Sequence, residues 1–114
     1  MKEVEIKFRV KLNDNNIPDS IEWSATEADF EGEKPCNTLL ISMWDREVKN
    51  TMSIDLWTND MEIGEMNSHF YFTFMKMADT YQRATNNPKL ADTIRNFAND
   101  FARSVEETLK KSES

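Results

Sequence analysis

The sequence contains few residues that interrupt or cross-link a chain. Its 114 residues include 1 cysteine, 2 glycines and 3 prolines. The single thiol, Cys36, excludes an intrachain disulfide and is typical of a reducing compartment. Because glycine and proline are scarce, long uninterrupted helices and strands are expected. A chain of this length predicts one domain over residues 1–114.

Long apolar runs and excess positive charge are also missing. No stretch approaches the ~20 apolar residues of a membrane span, so direct membrane insertion is not expected. The first residues alternate in polarity, so we expect no secretory signal and a cytoplasmic location. The 14 Lys and Arg residues are outnumbered by 21 Asp and Glu, giving a net charge of -7. Nucleic acid binding requires a basic face, so nucleic acid is not an expected partner.

Residues that commonly carry chemistry are scarce. His69 is the only histidine and Cys36 the only cysteine, so no His/Cys cluster can form a zinc site. Glu65 precedes His69 by four residues, which predicts a solvated pair on one side of a helix. Two glycines are too few for a glycine-rich phosphate loop. We therefore predict no catalytic residue, no metal site and no cofactor, and expect that the protein is not an enzyme.

The first half of the chain alternates between apolar and polar residues, which is the period of a β-strand. Four strands are predicted, over about 3–12, 20–26, 38–45 and 51–58. Turn-forming residues at 13–16 favour a hairpin between the first two. The acidic segment 27–35 is predicted as a loop. Whether it binds anything or only covers the sheet stays open at this point.

The second half of the chain changes to the helical period, over about 60–85 and 88–110. Asn59 and Glu62 resemble a capping box at the start of the first helix. Asn86 can adopt a left-handed conformation, Asn87 can cap, and Pro88 suits a first helical position. Strands followed by helices predict an α+β fold, a four-stranded antiparallel sheet followed by two helices packed on one face.

Large apolar side chains exceed what such a core needs. We predict that six of them form an interaction surface: Leu40, Trp44 and Trp57 on the outer face of the sheet, and Tyr71, Phe72 and Met75 off the main stripe of the first helix. Each is worth roughly 1.5–3 kcal/mol when buried, so a solvated group of them is unusual. Trp, Tyr and Met favour interfaces, which predicts protein partners and a homo-oligomer. The alternative is that segment 27–35 folds over Trp44 and Trp57.

Several segments together resemble a known family. They are Leu40-Ile41-Ser42-Met43-Trp44-Asp45, Asp55-Leu56-Trp57 and Met77-Ala78-Asp79-Thr80. With their surroundings, from about Glu5 to about Ala102, they are similar to the GldC family of gliding-motility proteins from Bacteroidetes and related bacteria. The resemblance implies an accessory role in gliding. It brings no catalytic residues that could be transferred.

A looser likeness concerns topology alone. Four antiparallel strands followed by two helices, in an acidic oligomeric protein, are similar to the SecB-type export chaperones. No sequence motif supports this likeness, and a shared fold does not establish a shared function. It implies a second hypothesis, in which the protein binds unfolded or exported client proteins through apolar grooves.

Overall fold

The computed structural model describes residues 1–113, which form five strands and two helices. Strands β1 to β5 span Ile6–Leu12, Pro18–Ala25, Lys34–Cys36, Thr38–Asp45 and Asn50–Trp57, and helices α1 and α2 span Ile63–Thr85 and Pro88–Glu113. The chain divides into two compact units. The first, Met1–Met61, contains all the strands and is called the sheet unit. The second begins at Glu62, contains both helices and is called the helical unit.

The sheet unit contains two antiparallel sheets, so the predicted single four-stranded sheet is wrong. One sheet has the order β1-β2-β3, and the other consists of β4 and β5. The additional strand, β3, forms at the end of the segment that was predicted as a loop. It pairs with β2 and sets Cys36 opposite Ile21. Alternation identifies a strand but not its neighbour, and three residues are too few to show a period.

The hairpin predicted for the first two strands is present. Phe8 lies opposite Trp23 in the β1–β2 pair. The side-chain oxygen of Asn13 accepts hydrogen bonds from the backbone N–H groups of Asn15 and Ile17, at 2.8 and 3.1 Å. This local bonding by an asparagine side chain is what makes the residue favourable in turns.

The alternation also predicted which residues share a face. In the β4–β5 pair one face holds three apolar pairs, Leu39–Leu56, Ile41–Ile54 and Met43–Met52. Leu39 is buried, whereas Met52 and Ile54 are exposed. Ile6 and Phe8, which alternate with the charged residues of β1, are exposed as well. A residue's position on an apolar face therefore does not by itself determine its burial.

The helical unit is an antiparallel pair whose contact is made by small and aromatic residues. Three alanines at the contact are fully buried: Ala78, Ala91 and Ala98. The ring of Phe74 meets the rings of Phe97 and Phe101 edge-on, with centroids 5.2 and 5.4 Å apart. Alanine allows two helix backbones to approach closely, and the edge-on aromatic geometry is favourable.

The start of α1 differs from the prediction. The helix begins at Ile63, and Glu62 occupies its N-cap without a side-chain capping hydrogen bond. The proposed capping box between Asn59 and Glu62 is therefore wrong. At the end of β5 the chain instead forms a hydrogen-bond network around Thr58.

The boundary between the helices agrees with the sequence. Asn86 has a left-handed φ of 58°, and its N–H donates to the carbonyl of Gln82 at 2.8 Å. The side-chain oxygen of Asn87 accepts a 3.1 Å hydrogen bond from the N–H of Leu90. Pro88 is the first residue of α2. Among the described residues, neither helix is long and apolar enough to cross a membrane.

Candidate interaction surfaces

The β4–β5 pair, here called the ribbon, carries three of the six candidate residues. Directly opposed residues of an antiparallel pair share a face. The outer face of the ribbon holds the pairs Thr38–Trp57, Leu40–Asp55, Ser42–Ser53 and Trp44–Thr51. Leu40, Trp44 and Trp57 therefore lie on one face, as the alternation indicated.

The two tryptophans lie at opposite ends of this outer face. Trp44 is 67% exposed and Trp57 is 53% exposed. Trp57 faces Thr38, which is separated from Trp44 by six strand positions, or about 20 Å. Leu40 is the diagonal neighbour of Trp57. The ribbon thus presents two apolar ends with a polar serine pair between them.

The acidic segment 27–35 packs on a different tryptophan. The ring of Phe30 meets the ring of Trp23 edge-on at 5.0 Å, and the Nζ atom of Lys34 lies 5.5 Å from the centre of the Phe30 ring. Trp44 and Trp57 remain exposed. The segment is therefore anchored over β2 and does not cover the tryptophans of the ribbon.

A charged group at the end of this segment contacts β1 just before β3 begins. The Arg9 guanidinium lies 2.9 and 3.2 Å from the two carboxylate oxygens of Glu33. A hydrogen bond with the Glu22 side chain is the main cause that raises the pKa of Glu33, and Arg9 opposes it. Two carboxyl groups that share a hydrogen bond favour the protonated form of one of them. The contacts with Arg9 and Glu22 account for the position of the Glu33 side chain, so no ligand is needed to explain it.

The other three candidates lie on α1. Phe72 is 59% exposed, whereas Tyr71 and Met75 are half-buried. The rings of Tyr71 and Phe72 are 5.4 Å apart, and the Tyr71 hydroxyl donates to the Oδ1 atom of Asn99 on α2 at 3.4 Å. Tyr71 is therefore tied to the helix pair, and Phe72 is the solvent-facing member of the group.

Tyr71 and Phe72 also line a shallow groove of about 280 Å³ between the two helices. Its other lining residues are Gly64, Asn67, Ser68, Phe101, Ala102, Val105, Glu106 and Leu109. Met75 is not part of this lining. The groove is mainly apolar, which suits an apolar side chain of a partner better than a charged ligand.

The sequence did not reveal the ion-pair group that joins the helices. Arg95 of α2 donates to the Oδ1 atoms of Asp79 and Asp92, at 2.9 and 2.7 Å, and to Gln82 Oε1 at 2.8 Å. The hydrogen bond to Asp79, followed by that to Asp92, raises the pKa of Arg95 above its usual value. Asp92 lies within one turn of Arg95. Asp79 is on the facing helix, and no pattern in the sequence indicates that it meets Arg95.

The junction of the two sheets is a polar network around a buried threonine. Thr58 is 2% exposed, and its N–H donates to the carbonyl of Asn37 at 2.8 Å. Its hydroxyl donates to Asp60 Oδ1 at 2.6 Å and accepts from Asn37 Nδ2 at 3.1 Å. The bond from Thr58 is the main cause that lowers the pKa of Asp60. The carbonyl of Thr58 also accepts a 3.1 Å hydrogen bond from the N–H of Met61, so these residues fix the end of β5.

Comparison with known proteins places the chain in a family. The model of the family described as "Gliding motility-associated protein GldC-like" matches residues 18–107. The chain belongs to the GldC-like family. The match confirms the family that the sequence resembled, and it associates the chain with gliding motility. No curated protein and no solved structure matches this GldC-like chain.

The family description names a process and no reaction, and the residues considered for chemistry have structural surroundings. Among residues 1–113, no group of three or more His, Cys, Asp and Glu residues could hold a metal ion. His69 Nε2 is buried and has no hydrogen-bond partner among them, so the prediction of a solvated Glu65–His69 pair is wrong. Burial raises the pKa of the Cys36 thiol, whereas a nucleophile needs a lowered one. Asp45 accepts hydrogen bonds from two N–H groups of the turn after β4.

Proposed function

We propose that this GldC-like protein is a non-enzymatic accessory protein of bacterial gliding that acts by binding proteins, including further copies of itself. The proposed surface residues are Leu40, Trp44 and Trp57 on the sheet unit, and Tyr71, Phe72 and Met75 on the helical unit. The proposal includes a cytoplasmic location, since a single free cysteine is typical of reducing compartments. It assigns no catalytic residue, no cofactor and no nucleic acid partner.

The observation that carries the proposal is the exposure of Trp44 and Trp57. Both side chains are more than half exposed. Tryptophan is enriched at binding hot spots, so two exposed tryptophans are candidates for contact with a partner. Phe72 provides a third exposed aromatic ring beside an apolar groove in the helical unit. Exposed aromatic residues of this size support a protein-binding role, since burial by a partner would remove them from water.

The test substitutes residues of the proposed surface in the native bacterium and measures the gliding of its cells. Trp44→Ser combined with Trp57→Ser, and separately Phe72→Ser combined with Met75→Ser, should reduce the gliding speed of single cells. The protein should accumulate normally, because Trp44, Trp57 and Phe72 are exposed and Met75 is only half-buried. The same variants, when purified, should show a smaller assembled fraction by size exclusion with light scattering.

The matched controls are other exposed apolar residues of the same units. Val48 lies at the turn of the ribbon and Met77 lies on α1, and both side chains are exposed. The control substitutions are Val48→Ser and Met77→Ser. Neither should alter gliding or assembly. Normal gliding and assembly in both double variants would overturn the assignment of the surface.

A second function has support from one feature, the apolar groove between α1 and α2. A groove of about 280 Å³ with an exposed phenylalanine at its side can accept an apolar side chain of an unfolded chain. In this alternative the protein is a SecB-like chaperone or adaptor for exported clients. It should then suppress the aggregation of an unfolded client, and Phe72→Ser with Met75→Ser should abolish the suppression while Met77→Ser retains it.

A further inference from the structure

The ribbon has a strand edge whose backbone groups pair with no other strand. Within residues 1–113, β4 pairs only with β5, and the two form a two-stranded sheet. Two-stranded ribbons are marginally stable, and three or more strands are normally needed. An unpaired edge is also a template for pairing with another chain.

The register shows which residues of β4 present backbone groups at this edge. The N–H of Thr58 bonds to the carbonyl of Asn37, so this pair belongs to the hydrogen-bonded positions of the ladder. Such positions alternate with non-hydrogen-bonded ones in an antiparallel pair. The odd-numbered residues of β4 therefore bond to β5. The even-numbered residues direct N–H and C=O groups to the free edge: Thr38, Leu40, Ser42 and Trp44.

The other edges of the sheet unit carry features that discourage pairing. β1 has Lys7, Arg9 and Lys11, and β3 is three residues long and contains Pro35. Charged residues, proline and short length are the usual means of protecting an edge. β5 carries Asp55 near its centre. β4, in contrast, has no charged residue and no proline from Thr38 to Trp44.

Charge favours β4 as the place where two copies can meet. Residues 1–61 contain 13 acidic and 7 basic side chains, a net charge of -6, so two sheet units carry net charges of the same sign and are favoured to meet where charged residues are few. A two-fold axis at Ile41 or Ser42 keeps the charges of β4 apart. Asp45 then faces the second copy's Asn37 or Leu39, both uncharged. The same operation on β5 would bring two copies of Asp55 close to the axis.

We propose that β4 pairs antiparallel with β4 of a second copy, forming a continuous four-stranded sheet of the order β5-β4-β4-β5. This inference rests on the self-association in the proposed function and specifies its geometry. The pairing supplies partners for the edge groups of Leu40 and Ser42. It also joins the aliphatic faces of the two ribbons into one, because a two-fold axis perpendicular to the sheet keeps equivalent faces on the same side.

The test uses two serines that face each other across the ribbon. Ser42→Pro removes an N–H at the proposed edge, and Ser53→Pro removes an N–H at the outer edge of β5. Neither N–H is used between β4 and β5, so each proline is placed where strands tolerate it. Size exclusion with light scattering at tens of micromolar should give dimers or larger assemblies for the parent and Ser53→Pro. Ser42→Pro should be monomeric.

A cross-linking measurement keeps the test decisive if a proline variant fails to fold. In a Cys36→Ser background, Ser42→Cys should give covalent dimers with a short bismaleimide. Ser53→Cys should not, because three strand spacings, about 14 Å, would separate its two copies. β4 pairing is wrong if Ser42→Pro assembles like the parent. It is also wrong if neither cysteine variant cross-links, or if only Ser53→Cys does. In each case self-association by another surface stands. A monomeric parent would overturn both.

Discussion

The hydroxyl of Thr58 donates a 2.6 Å hydrogen bond to Asp60, and it does so from a side chain that is 2% exposed. Thr58→Val keeps the shape and removes the hydroxyl, which leaves Asn37 Nδ2 and Asp60 Oδ1 with fewer partners. Asn37 and Asp60 are exposed and can bond to water instead, so the loss is the net value of a typical hydrogen bond, about 0.5–1.5 kcal/mol. We expect the free energy of unfolding, measured by urea denaturation, to fall by that amount.

The control for this substitution is Thr51→Val, on the exposed outer face of the same strand. A surface change of this kind should shift the free energy of unfolding by less than about 0.5 kcal/mol. Equal effects of the two substitutions would show that the Thr58 network does not stabilise the junction of the sheets.

Asp60 should make stability depend on pH in the acid range. Its pKa in the folded state is lowered from 3.8, first by the hydrogen bond from Thr58. The stabilisation from its ionised form is therefore complete above the unfolded value of 3.8, and it is lost as the pH falls through the lower folded pKa. Asp60→Asn should be less stable than the parent at neutral pH, and the difference should shrink at the lowest pH values.

Urea denaturation at several pH values between neutral and strongly acidic checks this prediction. Thr58→Val should weaken the same acid dependence, because it removes the first cause of the pKa shift. A difference between parent and Asp60→Asn that stays constant over the whole range would contradict the proposed role of the carboxylate.

The contact between the helices should tolerate no larger residue at its alanines. Ala98 is fully buried, so Ala98→Leu inserts three additional heavy atoms into a filled contact and should cost about 1–3 kcal/mol. Ala84→Leu, at an exposed position of α1, is the matched control and should be nearly neutral. Thermal unfolding followed by circular dichroism would compare them. A neutral Ala98→Leu would indicate that the helices are not held closely at this position.

The strand faces and the helix boundary could be predicted because they depend on local residues. The ribbon residues alternate without interruption, so their faces follow from the period of the strand. Asn86, Asn87 and Pro88 each have a backbone preference that neighbouring elements do not alter. These features need no information about distant parts of the chain.

The features that sequence reasoning missed depend on which distant residues meet. Strand β3 exists because Cys36 finds a backbone partner in Ile21, and no pattern within Lys34–Cys36 indicates it. The capping box failed since the helix begins later, beyond the network in which Thr58 and Asp60 are engaged. Of the candidate site, the shared face of Leu40 and Trp44 was predictable, but the distance between the two exposed tryptophans required the register.

The strand order has a consequence for the speed of folding. Each strand of the sheet unit pairs only with a strand that directly precedes or follows it in the chain, and α1 packs against the helix that follows it. Pairing of neighbouring segments requires short loops to close, and proteins rich in such local contacts fold in microseconds to milliseconds. The strands of each hairpin and the two helices can therefore begin to pair before distant parts of the chain are in place, although the two-stranded ribbon gains lasting stability only from further contacts.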